Sequence, residues 1–492
     1  GAMAGGRIQE FSWDGELLWD FEYASDTYLR HHDVAPMPNG NVLLIAWERK
    51  TAEEAIAAGR DPHHLEAGEL WPDHIVEIEP QRPAGGRIVW EWHVWDHLIQ
   101  DFDPTKANYG AVGEHLELVD INWVNTQGEP PPDKLAEEQE KLAAFGYMPS
   151  QPPETPCEEK QERLSYFRAA DFNHTNSVAY NPDLDQIALS VLKFSEVWII
   201  DHNTTTEEAA GHTGGRQSKG GDLLYRWGNP QTYRMGRPED QRFFGQHDAR
   251  WIPPGRPGAG HLLVFNNGGG RPGEPYSTIE EIVPPLLPSG CYDRALGAPF
   301  GPAEAVWRYV APEKTAFFSP AISGVERQPN GNTLICEGVK GRLFEVTPAG
   351  DTVWEYLRPE SAGPGMGIFK TRRYASDFSG FADRALLPEE MPSFELFFDA
   401  PITPEPPEMV SAEMRQTNDG EQADEKNDCP IIYVNQSATG TGDGLSWENA
   451  CTTISQGITV AGTCKNQIWI AQGTYCEKVH LPTGLTLYGG FT

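Results

Sequence analysis

Apolar and polar residues alternate in short runs along most of this chain, and the runs come in pairs around turns. The stretch Asp171 to Lys193, DFNHTNSVAYNPDLDQIALSVLK, shows the pattern most clearly. A strand opens on His174-x-Asn176, a turn follows over Asn181-Pro182-Asp183-Leu184-Asp185, and an apolar run returns from Ile187 to Leu192. The same two-strand phrase recurs at 31–47, 246–265 and 323–338. A second phrase, a β-rich pair ending in an aromatic strand, stands at 7–23, 74–95, 197–230, 305–312 and 342–359. Together the phrases make a four-stranded unit repeated at irregular spacing with Gly-rich turns. That pattern predicts an all-β fold, a β-propeller over residues 5–385. The first copy is half a unit, whose inner strands are expected upstream of Gly1 or from the far end of the chain.

Other segments break the pattern. Residues 1–4 resemble the remnant of a tag. An insertion at 124–170 is Pro-rich at both ends and carries a predicted helix over Asp133 to Phe145; it reads as a surface loop or as a lid over the propeller mouth. Residues 386–428 read as an acidic, Pro-containing linker, most plainly from Ile402 to Asp428. A separate tail follows at 429–492.

Composition narrows the function classes. With Gly 50 and Pro 41 among 492 residues, short strands and turns are favoured over helices. A net charge of −34 makes nucleic acid and anionic membranes poor partners. No apolar run approaches the ~18 residues of a membrane helix, so membrane insertion is not expected. Of the seven cysteines, Cys429, Cys451, Cys464 and Cys476 crowd the tail, and no C-x-x-C occurs. They read as disulfides of a secreted or periplasmic protein rather than as a zinc ribbon.

Candidate chemistry emerges when the two-strand phrases are aligned on their turn prolines, Pro38, Pro182, Pro253 and Pro329. His32, Asn176, His247 and Ser323 then share one position. His174 lies two residues before Asn176 and so on the same face of its strand. Innermost strands line a propeller's axis, which directs His32, His174, Asn176 and His247 to one pocket. Asp33 and Asp248 point the other way, to orient the backbone or a neighbouring unit, or simply as turn-facing polar residues. A one-residue slip would exchange His32 for His31. Three converging imidazoles also suit a transition metal (Cu, Zn or Fe) in a hydrolase or oxidoreductase. A degenerate site would leave a secreted binding module. No Gly-x-Ser-x-Gly occurs, against an ordinary serine hydrolase.

The chain resembles the bacterial arylsulfotransferase family, the type independent of an adenosine-phosphosulfate donor. The carrying motifs are His31-His32-Asp33-Val34 with Pro38-Asn39-Gly40-Asn41, His174-Thr175-Asn176-Ser177-Val178, Phe194-Ser195-Glu196-Val197-Trp198, Gly245-Gln246-His247-Asp248-Ala249 and Gly331-Asn332-Thr333-Leu334-Ile335. The resemblance implies six blades, export, and ping-pong transfer of a sulfuryl group from an aryl sulfate to a phenol with no cofactor. It makes His247 the nucleophile that becomes sulfo-histidine, with His32, His174 and Asn176 on the sulfate oxygens and the leaving phenol. The family places an arginine where Leu192 stands here. Lys193, the adjacent cation, is the candidate to replace it, although strand alternation turns it to the opposite side; His31 and Ser323 are further candidate substrate contacts. The tail resembles the opening coils of secreted right-handed parallel β-helices, on Tyr433-Val434-Asn435, Asp443-Gly444, Ser446-Trp447, Ile468-Trp469-Ile470-Ala471, Gly473-Thr474-Tyr475 and Leu487-Tyr488-Gly489-Gly490-Phe491. It stops after one or two coils.

Overall fold

The repeated phrases fold as repeated antiparallel sheets. The computed structural model describes residues 6–125, 169–358, 367–375, 378–381, 431–461, 467–471 and 486–491. The helix predicted over Asp133 to Phe145 and the linker lie outside these. The chain divides into two units, Gly1–Asp351 with Gly363–Arg373, and Thr352–Ala362 with Tyr374–Thr492.

In the first unit Arg7–Phe11 and Leu17–Glu22 form a two-stranded sheet, the predicted half unit. The first four-stranded sheet runs Tyr28–Pro36, Val42–Glu48, Asp73–Pro80 and Gly86–His93. The second runs Thr175–Asn181, Gln186–Val191, Glu196–Asp201 and Tyr225–Trp227. The third runs His247–Trp251, Leu262–Asn266, Thr278–Ile282 and Trp307–Tyr309. A fourth sheet contains Gly324–Arg327, Thr333–Glu337 and Arg342–Val346.

The turns form for the reason the sequence suggests. Gly40 and Gly331 take left-handed backbone (φ 86° and 90°) that a side chain would strain. Asn41 donates from its side chain to Glu77, and Asn332 to Glu345, so each turn is tied to the third strand of its own sheet.

Second strands read as unbroken apolar runs because both their faces are covered. Leu43 and Ile45 pack toward Val178, Ile187 and Leu189 of the second sheet, while Leu44 and Ala46 pack against Ile8 and Trp19. Leu262 and Val264 face the second sheet, Leu263 and Phe265 the fourth. The core is thus a series of layers between consecutive sheets, an arrangement consistent with propeller blades.

Leading strands are stitched to one another by side chains. Asp33 Oδ2 accepts from the Val178 N–H (3.2 Å), Ser177 Oγ from Ala249 (3.0 Å) and Asp248 Oδ2 from Val325 (2.9 Å). These are the residues directly after His32, Asn176 and His247, so Asp33 and Asp248 do face a neighbouring sheet. Each leading strand bulges there, between His31 and Val34, Thr175 and Ser177, and His247 and Arg250. Left-handed φ values at His32 (51°), His174 (54°), Asp248 (50°) and Ile322 (30°) mark the same region, at different offsets in each strand. Lys370 crosses over the stitches, 2.6 Å from Asp33 Oδ2 and 3.3 Å from Asp248 Oδ1.

In the second unit Ile432–Val434, Gln467–Ala471 and Thr486–Phe491 form a parallel three-stranded sheet, with Ile432 opposite Ile468 and Ile468 opposite Leu487. These are three of the segments singled out in the sequence. A helix not foreseen there, Ile454–Ala461, buries Ile454 against Ile432 and Val434. Cys451 is a buried free thiol, contrary to the disulfide expected of it. The other tail cysteines lie outside the described residues.

Ser177→Ala tests the stitches. It orphans the buried Ala249 N–H, so unfolding free energy from urea titration should fall by about 1–3 kcal/mol.

Candidate functional site

Two buried carboxylates organise the junction of the first and second sheets. Asp73 accepts from Asn173 Nδ2 (2.7 Å) and the Thr175 N–H (2.5 Å), and pairs with His31 Nε2 (3.1 Å). Asp171 accepts from Trp47 Nε1 (3.1 Å), and its other oxygen lies 2.5 Å from His174 Nδ1. Lys193 Nζ donates to the Asp171 carbonyl and stands 3.7 Å from its carboxylate. Burial opposes ionisation of Asp171, but Lys193 and His174 outweigh it and hold the carboxyl well below its usual range.

His31 and His32 have different tasks. His31 is fully buried and stacks on Trp47, ring centroids 4.0 Å apart. His32 turns out of the strand on its left-handed backbone and meets His174 at 4.5 Å between centroids. The two neighbours share a short Nδ1···Nδ1 hydrogen bond of 2.6 Å. Burial, then the proximity of His174 and His31, drives the His32 pKa well below its ordinary value, so His32 is neutral. His31 thus bonds to both His32 and Asp73 from within the core.

His247 is oriented from the third sheet. Its Nδ1 is 2.8 Å from Asn267 Oδ1, and Asn267 Nδ2 is committed to the Ser319 carbonyl (2.7 Å) and Ser323 Oγ (3.1 Å). The amide orientation is thereby set, Oδ1 must accept, and Nδ1 must carry the proton. Nε2 is left with the lone pair. Burial outweighs the help of Asn267 and pushes the His247 pKa down to about 4. Ser323 bears on His247 through Asn267.

Asn176 lies between the second and third sheets. It is buried, and its amide donates to the Gln246 carbonyl (2.7 Å), binding the second sheet to the residue before His247. Its Oδ1 has no hydrogen-bond partner among the described residues. Among the described residues His32, His174 and His247 do not bring three ligand atoms within 4.8 Å of one another.

Lys193 enters the site because the strand has ended before it. Pairing stops at Thr175 opposite Val191, and the chain turns, with the Leu192 N–H on His174 O (3.1 Å) and the Ser195 N–H on Leu192 O (2.9 Å). Alternation of faces holds only inside a strand, so the sidedness predicted for Lys193 does not apply. Asp171, Asp73 and Asn267 were not singled out as site residues. Asp171 stands three residues before His174, and Asn267 directly follows the strand paired with that of His247; both signals are legible once strand pairing is known.

The sequence profile described as Arylsulfotransferase (ASST) matches residues 2–356. Arylsulfate sulfotransferase AssT of Escherichia coli O6:H1 (strain CFT073) is 26% identical over 357 residues, 70% of this chain and 51% of that protein. AssT of Lelliottia amnigena gives the same identity and coverage. The chain thus spans about half the length of these curated relatives. A crystal structure of a protein of unknown function from Bacteroides caccae aligns over 75% of this chain and 82% of that chain, at 11% identity and a TM-score of 0.35. A score that low does not establish a shared fold.

The buried neutral histidines set a pH dependence of stability. The unfolded chain takes protons on His32 and His247 near pH 6.5, whereas folded His247 refuses one until about 4. Stability is therefore full above pH 6.5 and falls as pH drops toward 4, by at most about 1.4 kcal/mol per pH unit per group. Urea unfolding at a series of pH values should show this slope, and His247→Gln should flatten it.

Proposed function

The chain belongs to the arylsulfotransferase family, and on that premise we propose that it transfers a sulfuryl group from an aryl sulfate to a phenolic acceptor through a sulfated His247. The observation that carries this reading is the Asn267 anchor on Nδ1, which leaves a neutral imidazole with its Nε2 lone pair unspent. Nε2 attacks sulfur, the N–S bond forms, and the S–O bond to the aryl group breaks with its electron pair going to the phenolate. In the second half the acceptor oxygen attacks sulfur and the N–S bond breaks, restoring His247. His174, backed by Asp171, gives the leaving phenolate its proton and takes one from the acceptor.

Lys193 supports the same reading by restoring a cation beside the site despite Leu192. Its charge lies beside the Asp171 carboxylate that holds His174, where negative charge on the sulfuryl oxygens must be met. Lysine is a point charge where the family's arginine is a fork, so it attracts a sulfate without fixing its orientation as tightly. The sheets read as blades of a six-bladed propeller, the tail as the start of a parallel β-helix, and the protein as exported.

A chromogenic aryl sulfate with and without added phenol tests the transfer. Phenol release should rise with acceptor, and mass spectrometry of a donor-only reaction should find the sulfuryl group on His247. His247→Ala should lower turnover by roughly 10³-fold or more; undiminished turnover in that variant would sink the mechanism. The acid limb of kcat/KM should fall with protonation of His247, near pH 4 rather than 6.5. Lys193→Met should cost about 10²–10³-fold in kcat, with Lys193→Arg retaining activity.

A further inference from the structure

A second cluster of ligating side chains lies where the first sheet meets a Gly-rich loop of the second. His97 ends the turn Val94–His97 that follows the strand Gly86–His93; it is fully buried, and its ring stacks on Trp92 with centroids 5.6 Å apart and planes 9° apart. Its Nε2 lies 2.8 Å from the Ala209 carbonyl. A carbonyl only accepts, so Nε2 carries a proton. In the neutral ring Nδ1 then holds the lone pair, yet it faces Asp222 Oδ1 at 2.9 Å. The same carboxylate oxygen is 2.7 Å from His212 Nδ1. A buried carboxylate oxygen thus meets two imidazole nitrogens, one of them a lone pair unless a second proton or a metal ion lies between.

We propose that His97, His212 and Asp222 bind a first-row divalent transition metal, with Zn²⁺ as the probe. One ligand atom from each residue lies within 4.8 Å of the others. Two imidazoles and a carboxylate are a donor set such ions take, with a further position left for water. The Nε2–H to carbonyl bond of His97 is the outer-shell support that a metal-ligating histidine needs. His212 has 58% of its side chain exposed, which gives the ion a route in from solvent. Gly221 keeps the inner wall open: a Cβ there would stand 2.0 Å from the Ala209 oxygen and 2.6 Å from His97 Nε2. Metal–ligand bonds of about 2.0–2.1 Å in a tetrahedral site ask the contacts now at 2.7 and 2.9 Å to open by about half an ångström. The bound ion staples the loop from Gly211 to Asp222 onto the exit of the first sheet, away from the histidine pocket.

Chelator-stripped protein, loaded with Zn²⁺ alone and desalted, tests the site by elemental analysis and thermal unfolding. The expected result is about one equivalent retained, with a raised Tm. His212→Ala, altered at an exposed ring, should keep the metal-free Tm and lose both the zinc and the Tm rise. His247→Ala should keep both. Zinc that fails to stay on the unaltered protein, that stays on His212→Ala, or that is lost from His247→Ala instead would overturn the proposal.

Discussion

Everything at the site depends on the way each leading strand is held to the next. Sheets stacked face to face share no backbone ladder, so the N–H groups of Val178, Ala249 and Val325 must find acceptors elsewhere or remain buried and unsatisfied. Asp33, Ser177 and Asp248 are those acceptors. A carboxylate in such a place is stable only if neutralised. Lys370 bridges Asp33 and Asp248, and together with Arg250 and Arg372 it keeps Asp248 ionised well below the usual range against the cost of burial.

The same bulges that aim these acceptors at a neighbouring sheet throw the preceding side chains out of the regular pleat. Left-handed backbone at His32 and His174 costs each of them about 1–3 kcal/mol. Trp47, Asp73 and Asp171 over-determine their placement and hold that strain. His32, His174 and His247 each use Nδ1 in a hydrogen bond, to His31, Asp171 and Asn267 respectively. A set of imidazoles each anchored through Nδ1 is the common result.

Much of this was legible in the residue pattern. The alignment on turn prolines found His32, Asn176, His247 and Ser323 as one frame, and the stitches one residue later obey the same frame. The roles within that frame were not legible. Asn176 and Ser323 bond to Gln246 and Asn267, because a polar side chain buried between sheets satisfies its nearest backbone or side-chain partner first. Strand alternation does not govern Lys193, because the last paired residue is Val191. The acceptors that tune the histidines, Asp171 and Asn267, carry no periodic signal of their own.

Period-two alternation, turn chemistry and repetition are local properties, and for that reason the sequence by itself determined the strands, their grouping into four-stranded sheets and the family to which the chain belongs. Which histidine faces which partner is not local. His31 and His32 differ by one residue, and only a bulge opposite Leu44 and Ile45 sends one into the core beside Trp47 and the other to His174. The protonated nitrogen of His247 likewise depends on Asn267, whose orientation depends on Ser319 and Ser323 of the next repeat. Those choices belong to the tertiary structure, since each depends on contacts between groups well separated along the chain, His31 with Trp47, His32 with His174 and His247 with Asn267.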